Sequence, residues 1–183
     1  MELQGIVTSI ANLLKEFDSS KPVQVHKNFK PGIGPFTEPQ LIKEISRLLN
    51  LNGTSAFTRR IPDLIINNEW AIEFKIVRPF GDNGREAENW SVNLLHPYVG
   101  NISAIGDALK LINVAHIVRK AVFVIGYEHE MPKISLDPLL AAFELIAKSI
   151  VKIPLGDRIE ERRNNLVHPV HQVVMCIACE ILQ

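Results

Sequence analysis

The chain is poor in cysteine, has no net charge and has no long apolar run. Two cysteines in 183 residues cannot build a disulfide framework, so the expected setting is a reducing, cytoplasmic one. Lys plus Arg equals Asp plus Glu at 20 each, which excludes a surface coated in positive charge for indiscriminate binding of polyanions. No apolar stretch approaches the ~18 residues of a membrane span. The apolar residues of Met1 to Phe17 have no basic segment ahead of them, so they do not read as a signal peptide. Repeats, low-complexity tracts and long charge blocks are also lacking. What is there is a 46% hydrophobic and 22% charged composition, enough for one globular domain with a real core over residues 1–183.

Apolar spacing predicts a helix over 2–17, carried by Leu3, Ile6, Val7, Ile10, Leu13, Leu14 and Phe17. Pro22, Pro31, Gly32, Gly34 and Pro35 make 18–35 a loop. Thr37 and Gln40 form a capping-box pattern with Pro39 in the first turn, so a second helix starts near Thr37. Three strands follow at about 55–60, 62–67 and 70–78, then a long polar loop over 79–102. Ser103 to Val118 reads as a helix with Ile105, Leu109, Ile112 and His116 on one side, and 121–127 as a central strand. Asp137-Pro138 opens a helix reaching about Val151, 157–165 reads as a charged helix, and 170–182 is apolar without a clear period. The order predicts an α/β domain, a mixed sheet flanked by helices, with a core at about 37–127 and a C-terminal extension over 128–183.

The chemistry concentrates in residues 59–78. Along a strand at 70–78, Trp70, Ile72, Phe74 and Ile76 share one face, while Glu73 and Lys75 share the other. A two-residue turn at Asn67-Asn68 pairs Ile66 with Glu69 and mixes apolar with charged positions. A three-residue loop pairs Ile66 with Trp70 and Leu64 with Ile72, and sets Asp63 across from Glu73. The apolar pattern selects the second register, because a slip of one residue flips every side chain. Facing carboxylates repel; Lys75 relieves part of this and a divalent cation relieves more. Carboxylate oxygens with room for water and phosphate suit Mg²⁺ or Mn²⁺. Glu38 lies on the line of Leu41, Ile42 and Ile45 and points inward as a third carboxylate; Glu44 borders the stripe and is the weaker candidate.

Pro62-Asp63 followed by Glu73-Phe74-Lys75, on two antiparallel strands, resembles the PD-(D/E)xK nuclease superfamily, whose fold is restriction-endonuclease-like. The order helix, three strands, helix, strand over 38–127 is similar to that family's core. The resemblance implies metal-dependent hydrolysis of nucleic-acid phosphodiesters, and DNA is the favoured substrate. It makes Asp63, Glu73 and the Phe74 backbone carbonyl metal ligands, Lys75 the catalytic lysine, and Glu38 the helix glutamate. The favoured version is a type II restriction endonuclease acting as a homodimer, since a compact catalytic domain must pair to cut both strands. A structure-selective or repair nuclease of the same fold, and a catalytically silent member that binds nucleic acid or protein, are the alternatives.

Bland readings stand beside these. The charged hairpin face suits a solvated surface with a weak ion pair, and Glu38 suits a helix N-terminal acid. Arg59, Arg60, Arg78 and Arg85 bracket the motif as phosphate contacts or as strand-end charges. Trp90, with Asn89, Asn93, His96 and Tyr98, places a base-stacking or groove-entering group, or a dimer arm, in the long loop. Lys110 is a candidate contact to the DNA backbone, and Ser103 a helix cap. His168, His171, Cys176 and Cys179 have the ligand types of a zinc site, but Cys176 and Cys179 sit in an apolar run and read as buried structural cysteines. Residues 19–60 carry seven Lys or Arg against Glu38 and Glu44, so overall neutrality is compatible with a basic cleft around an acidic centre.

Overall fold

The computed structural model describes residues 1–22, 29–97, 103–114 and 119–182. Its elements are α1 (Leu3–Ser19), α2 (Glu38–Leu51), β1 (Ala56–Thr58), β2 (Leu64–Ile66), β3 (Trp70–Val77), a short α3 (Val92–Leu95), α4 (Ala104–Ile112), β4 (Arg119–Glu128), α5 (Asp137–Leu145) continued by a π-helical segment (Ile146–Val151), β5 (Ile159–Arg163) and β6 (Val173–Ile181). The predicted α4 extends in sequence terms over 115–118, and that part, with His116, lies outside the described residues, as does Tyr98. No helix among the described residues is long and apolar enough to cross a membrane.

The strands form one six-stranded mixed sheet in the order β1-β2-β3-β4-β6-β5. Only β3 and β4 run parallel; the other pairs are antiparallel. A parallel pair needs a crossover, and the connection through α3 and α4 supplies it. The two faces of the sheet carry separate apolar clusters. Phe74, Ile76, Phe123, Ile125 and Tyr127 pack with α1 and α2. Ala71, Val77, Val122, Val124 and Met175 pack with α4 and α5 on the other side. β4 alternates residue by residue between these clusters, which is why its sequence is apolar throughout.

The expected capping box forms at the start of α2, where the Thr37 N–H donates to Gln40 Oε1 at 3.0 Å. The C-terminal end of α1 is tied down by Asp18. Its carboxylate is fully buried and accepts the Ile33 N–H at 3.0 Å and the Val167 N–H at 2.7 Å.

Two C-terminal expectations change. Residues 157–165 do not form a charged helix; 159–163 are the edge strand β5. Charges two apart share a strand face, and here they pair: Arg162 with Glu160 at 2.8 Å and Arg163 with Glu161 at 2.8 Å. Glu161 also accepts from Thr8 on α1 at 2.9 Å. A charged edge protected from further strand pairing is the outcome. The undecided stretch 170–182 contains β6, which lies between β4 and β5 and is buried on both faces. Cys176 and Cys179 therefore face opposite sides of the sheet, one in each apolar cluster. Burial pushes both thiols up, Cys179 to about 12. They cannot converge on one zinc ion with His168 and His171, and both are structural.

Candidate active site

The register that apolar patterning selected is the one found: Leu64 opposes Ile72, Ile65 opposes Ala71 and Ile66 opposes Trp70. Asn67 and Asn68, both at positive φ, turn the hairpin, and the Glu69 N–H closes it on the Ile66 carbonyl at 2.9 Å. Asparagine tolerates this left-handed backbone better than most residues.

β2 is only three residues long, whereas β3 has eight. Beyond Ile72 the edge of β3 has no strand beside it. Buried amides on such an edge need other acceptors, and two carboxylates provide them. Asp63, just ahead of β2, accepts the Phe74 N–H at 2.9 Å. Glu38, at the start of α2, accepts the Ile76 N–H at 2.9 Å. The N–H and C=O of one strand residue point to the same edge, so the Phe74 carbonyl faces the same opening as Asp63.

Glu73, the next residue along β3 from Ile72, lies near Asp63 and Asp107 and is 5% exposed. Its Oε1 has no hydrogen-bond partner. Burial, then the neighbouring Asp63 and Asp107 carboxylates, push its pKa up to about 9. Lys75 does not sit between Asp63 and Glu73, as the repulsion argument anticipated. Its ammonium lies 2.9 Å from Asp107 Oδ2 and 3.4 Å from Glu38 Oε1. Burial works against the charge on Lys75, but Glu38 and Asp107 more than offset it, and its pKa stands above the ordinary lysine range. Burial likewise raises Glu38 against the opposing pull of Lys75 and the Ile76 N–H.

Asp107 is the residue that sequence reasoning missed. It is 4% exposed, comes from α4, which packs on the sheet face that carries Glu73 and Lys75, and binds Lys110 at 2.6 Å as well as Lys75. Its signal was an acid on the Ala104–Ala108–Leu111 face of an otherwise apolar stripe. Ser103 caps that helix, accepting the Gly106 N–H at 3.1 Å.

The remaining candidates separate by location. Glu44 forms an i,i+3 pair with Arg47 at 2.8 Å on the outside of α2 and is not in the site. Arg59 lines a cleft of about 270 Å³ with Glu38, Lys43, Thr58 and Asp63, while Arg60 and Arg85 are exposed. Lys110 turns inward to Asp107. Arg78 is largely a packing cation: it donates to the Phe36 carbonyl and lies 5.3 Å from the centre of the Tyr127 ring. Trp90 and Arg78 line a second cavity beyond the end of β3.

Can a divalent cation be held here? No three His, Cys, Asp or Glu side chains among the described residues form a ready-made chelate. Mg²⁺ does not require one; it binds through one or two carboxylates and completes its shell with water and phosphate oxygens. A buried carboxylate oxygen without a partner, beside a second carboxylate and an edge-facing carbonyl, fits that hard-oxygen chemistry. Asp63, Glu73 and the Phe74 carbonyl are the residues that would hold the ion.

His168 and His171 are occupied otherwise. His168 Nδ1 accepts the Val170 and His171 N–H groups, each at 3.1 Å, and Nε2 donates to Asp82 Oδ1 at 2.6 Å. His171 Nε2 donates to the Phe80 carbonyl at 3.0 Å. Burial lowers the His171 pKa to about 4. The unfolded chain protonates this histidine near 6.5 and the folded chain does not, so stability falls as pH drops from about 6.5 towards 4. The melting temperature of the wild type should therefore fall more steeply between pH 7 and 5 than that of His171→Gln; equal slopes would contradict a neutral buried His171.

Comparison of the chain with protein-family models, with curated proteins and with solved structures finds no match, so the geometry of this site carries the functional reading.

Proposed function

We propose that the chain is a metal-dependent nuclease of the PD-(D/E)xK superfamily, with a restriction-endonuclease-like topology, hydrolysing DNA phosphodiesters with Mg²⁺ or Mn²⁺. The observation that carries this reading is the open edge of β3. Asp63 and Glu38 take the amides that a neighbouring strand would take, with a buried Glu73 and a half-buried Lys75 beside them. The helix, antiparallel hairpin, crossover and parallel β4 add support, since they deliver these groups to one opening.

Each group has a role on this reading. Asp63, Glu73 and the Phe74 carbonyl would hold a cation, which when bound would supply polarisation of the phosphodiester and a lowered pKa of its water. Lys75, kept charged by Glu38 and Asp107, orients the attacking water and stabilises negative charge developing on the phosphoryl oxygens. Glu38 couples the start of α2 to the edge of β3, so it holds Lys75 and the strand in register. Lys43 and Arg59, on the cleft beside Asp63, receive the phosphates on either side of the cut. Two such chains in a homodimer would cut both strands at a palindrome, the type II restriction pattern.

The test is incubation with Mg²⁺ and, separately, Mn²⁺ on duplex, single-stranded and branched DNA, with EDTA as control. Discrete bands from plasmid DNA are expected. Preference for flaps, junctions or ends would move the reading to a repair or structure-selective nuclease. No metal-dependent cleavage of any substrate would leave a nucleic-acid- or protein-binding role in its place.

A further inference from the structure

Beyond the end of β3 lies a cavity of about 360 Å³ that the metal site does not use, within the size range of small-molecule sites. Ile76 belongs to both regions: its N–H is held by Glu38 and its side chain lines this cavity. Arg78, Trp90, Asp82, Glu88, Asn93 and His171 line it. Arg78 is three residues from Lys75, about 10 Å at ~3.3 Å per strand residue, which is the reach of one or two nucleotides.

The lining is chemically mixed in a specific way. An indole offers a stacking surface. The Arg78 guanidinium, whose other side packs on Tyr127, borders the cavity as a donor group. Glu88, the Asp82 oxygen that does not bind His168 and the Asn93 amide offer acceptors, and the His171 ring, held by Phe80 and stacked 4.5 Å from His168, is fixed in place. The carboxylates disfavour a phosphate in this space. A flat heteroaromatic ring with an acceptor edge and an amino edge satisfies all of them at once.

We propose that this cavity is a nucleobase pocket: it takes a base that has left the stack, from a nucleotide adjoining the scissile phosphodiester, with guanine as the preferred occupant. Guanine presents O6 and N7 as acceptors, the pattern an arginine reads best, and carries N1–H and an exocyclic amine for the carboxylates. Stacking on Trp90 adds sequence-tolerant affinity, as at other single-strand and flipped-base sites. The source of the base rests on the nuclease reading above; the pocket itself does not.

Titration of the protein with dGMP in EDTA, followed by tryptophan fluorescence, tests it without any dependence on cleavage. Saturable quenching is expected at ~1 mM, at least about 5-fold tighter than for dTMP, which lacks an exocyclic amine. Trp90→Phe should abolish the quenching with an unchanged circular dichroism spectrum, and Glu88→Gln should narrow the preference for dGMP. No saturation up to about 10 mM, or equal quenching by deoxyribose 5-phosphate, would overturn the proposal. Quenching in a protein that cuts no DNA would retain the pocket and remove the nuclease reading; cleavage without quenching would do the reverse.

Discussion

Glu73→Gln is expected to abolish cleavage and at the same time stabilise the metal-free protein. The carboxylate is buried with one oxygen unpaired, beside Asp63 and Asp107, and its pKa is pushed up to about 9. In the unfolded chain a glutamate titrates near 4.5. Between those values folding must take up a proton, so metal-free stability declines as pH rises from about 4.5 towards 9. Glutamine has no such dependence. At pH 7 the variant should be more stable by ~1–3 kcal/mol, because it folds without taking up that proton, or several degrees in melting temperature at ~2–4 °C per kcal/mol. Mg²⁺ should raise the melting temperature of the wild type and narrow the gap, because an ion that binds only the folded state stabilises it by mass action. Activity should fall by on the order of 10³-fold, matching the several kcal/mol a bound cation supplies. Calorimetry in EDTA and in Mg²⁺, beside plasmid cleavage, checks both halves. A variant less stable than the wild type in EDTA would show that Glu73 is an ordinary paired side chain.

Lys75→Met is expected to lose activity too, but with the opposite effect on stability. Lys75 is the counter-charge of Asp107 at 2.9 Å and of Glu38 at 3.4 Å. Removing one member of a buried ion pair can cost ~3–5 kcal/mol. Here Asp107 keeps Lys110 and Glu38 keeps the Ile76 N–H, so ~1–3 kcal/mol is the expected loss. Cleavage should drop by about 10²–10³-fold, as when a charge-stabilising donor is removed from an active site. The double variant Lys75→Met with Asp107→Asn should recover much of the stability and none of the activity. The two substitutions touch, so their energies should not add. Full additivity in the thermal unfolding of the two singles and the double would contradict the pairing.

The site was legible wherever local pattern decided it. Alternation of Trp70, Ile72, Phe74 and Ile76 with Glu73 and Lys75 was enough to choose the hairpin register, and with it the position of Asp63. Phasing on the α2 stripe separated Glu38 from Glu44, which pairs with Arg47 outside the site. Asp107 was not legible in the same way. It reaches Lys75 from the crossover helix packed on the sheet face of Glu73 and Lys75, and such a non-local contact leaves no trace in sequence spacing. The charge partners of Lys75 were misjudged for the same reason: it pairs with Asp107 and Glu38 rather than relieving Asp63 and Glu73. The fold was read correctly as mixed α/β with flanking helices and missed at β5. Its Glu160, Glu161, Arg162 and Arg163 give a helix-like composition, but they are satisfied in pairs along an edge strand and against α1.

Supercoiled plasmid incubated in Mg²⁺ with equal amounts of wild type and Asp63→Ala tests the central claim most directly. Metal-dependent cleavage at an Asp63–Glu73–Lys75 centre predicts nicked and linear products from the wild type that EDTA suppresses, and none from the variant over the same time. Equal cleavage by the two proteins would contradict it.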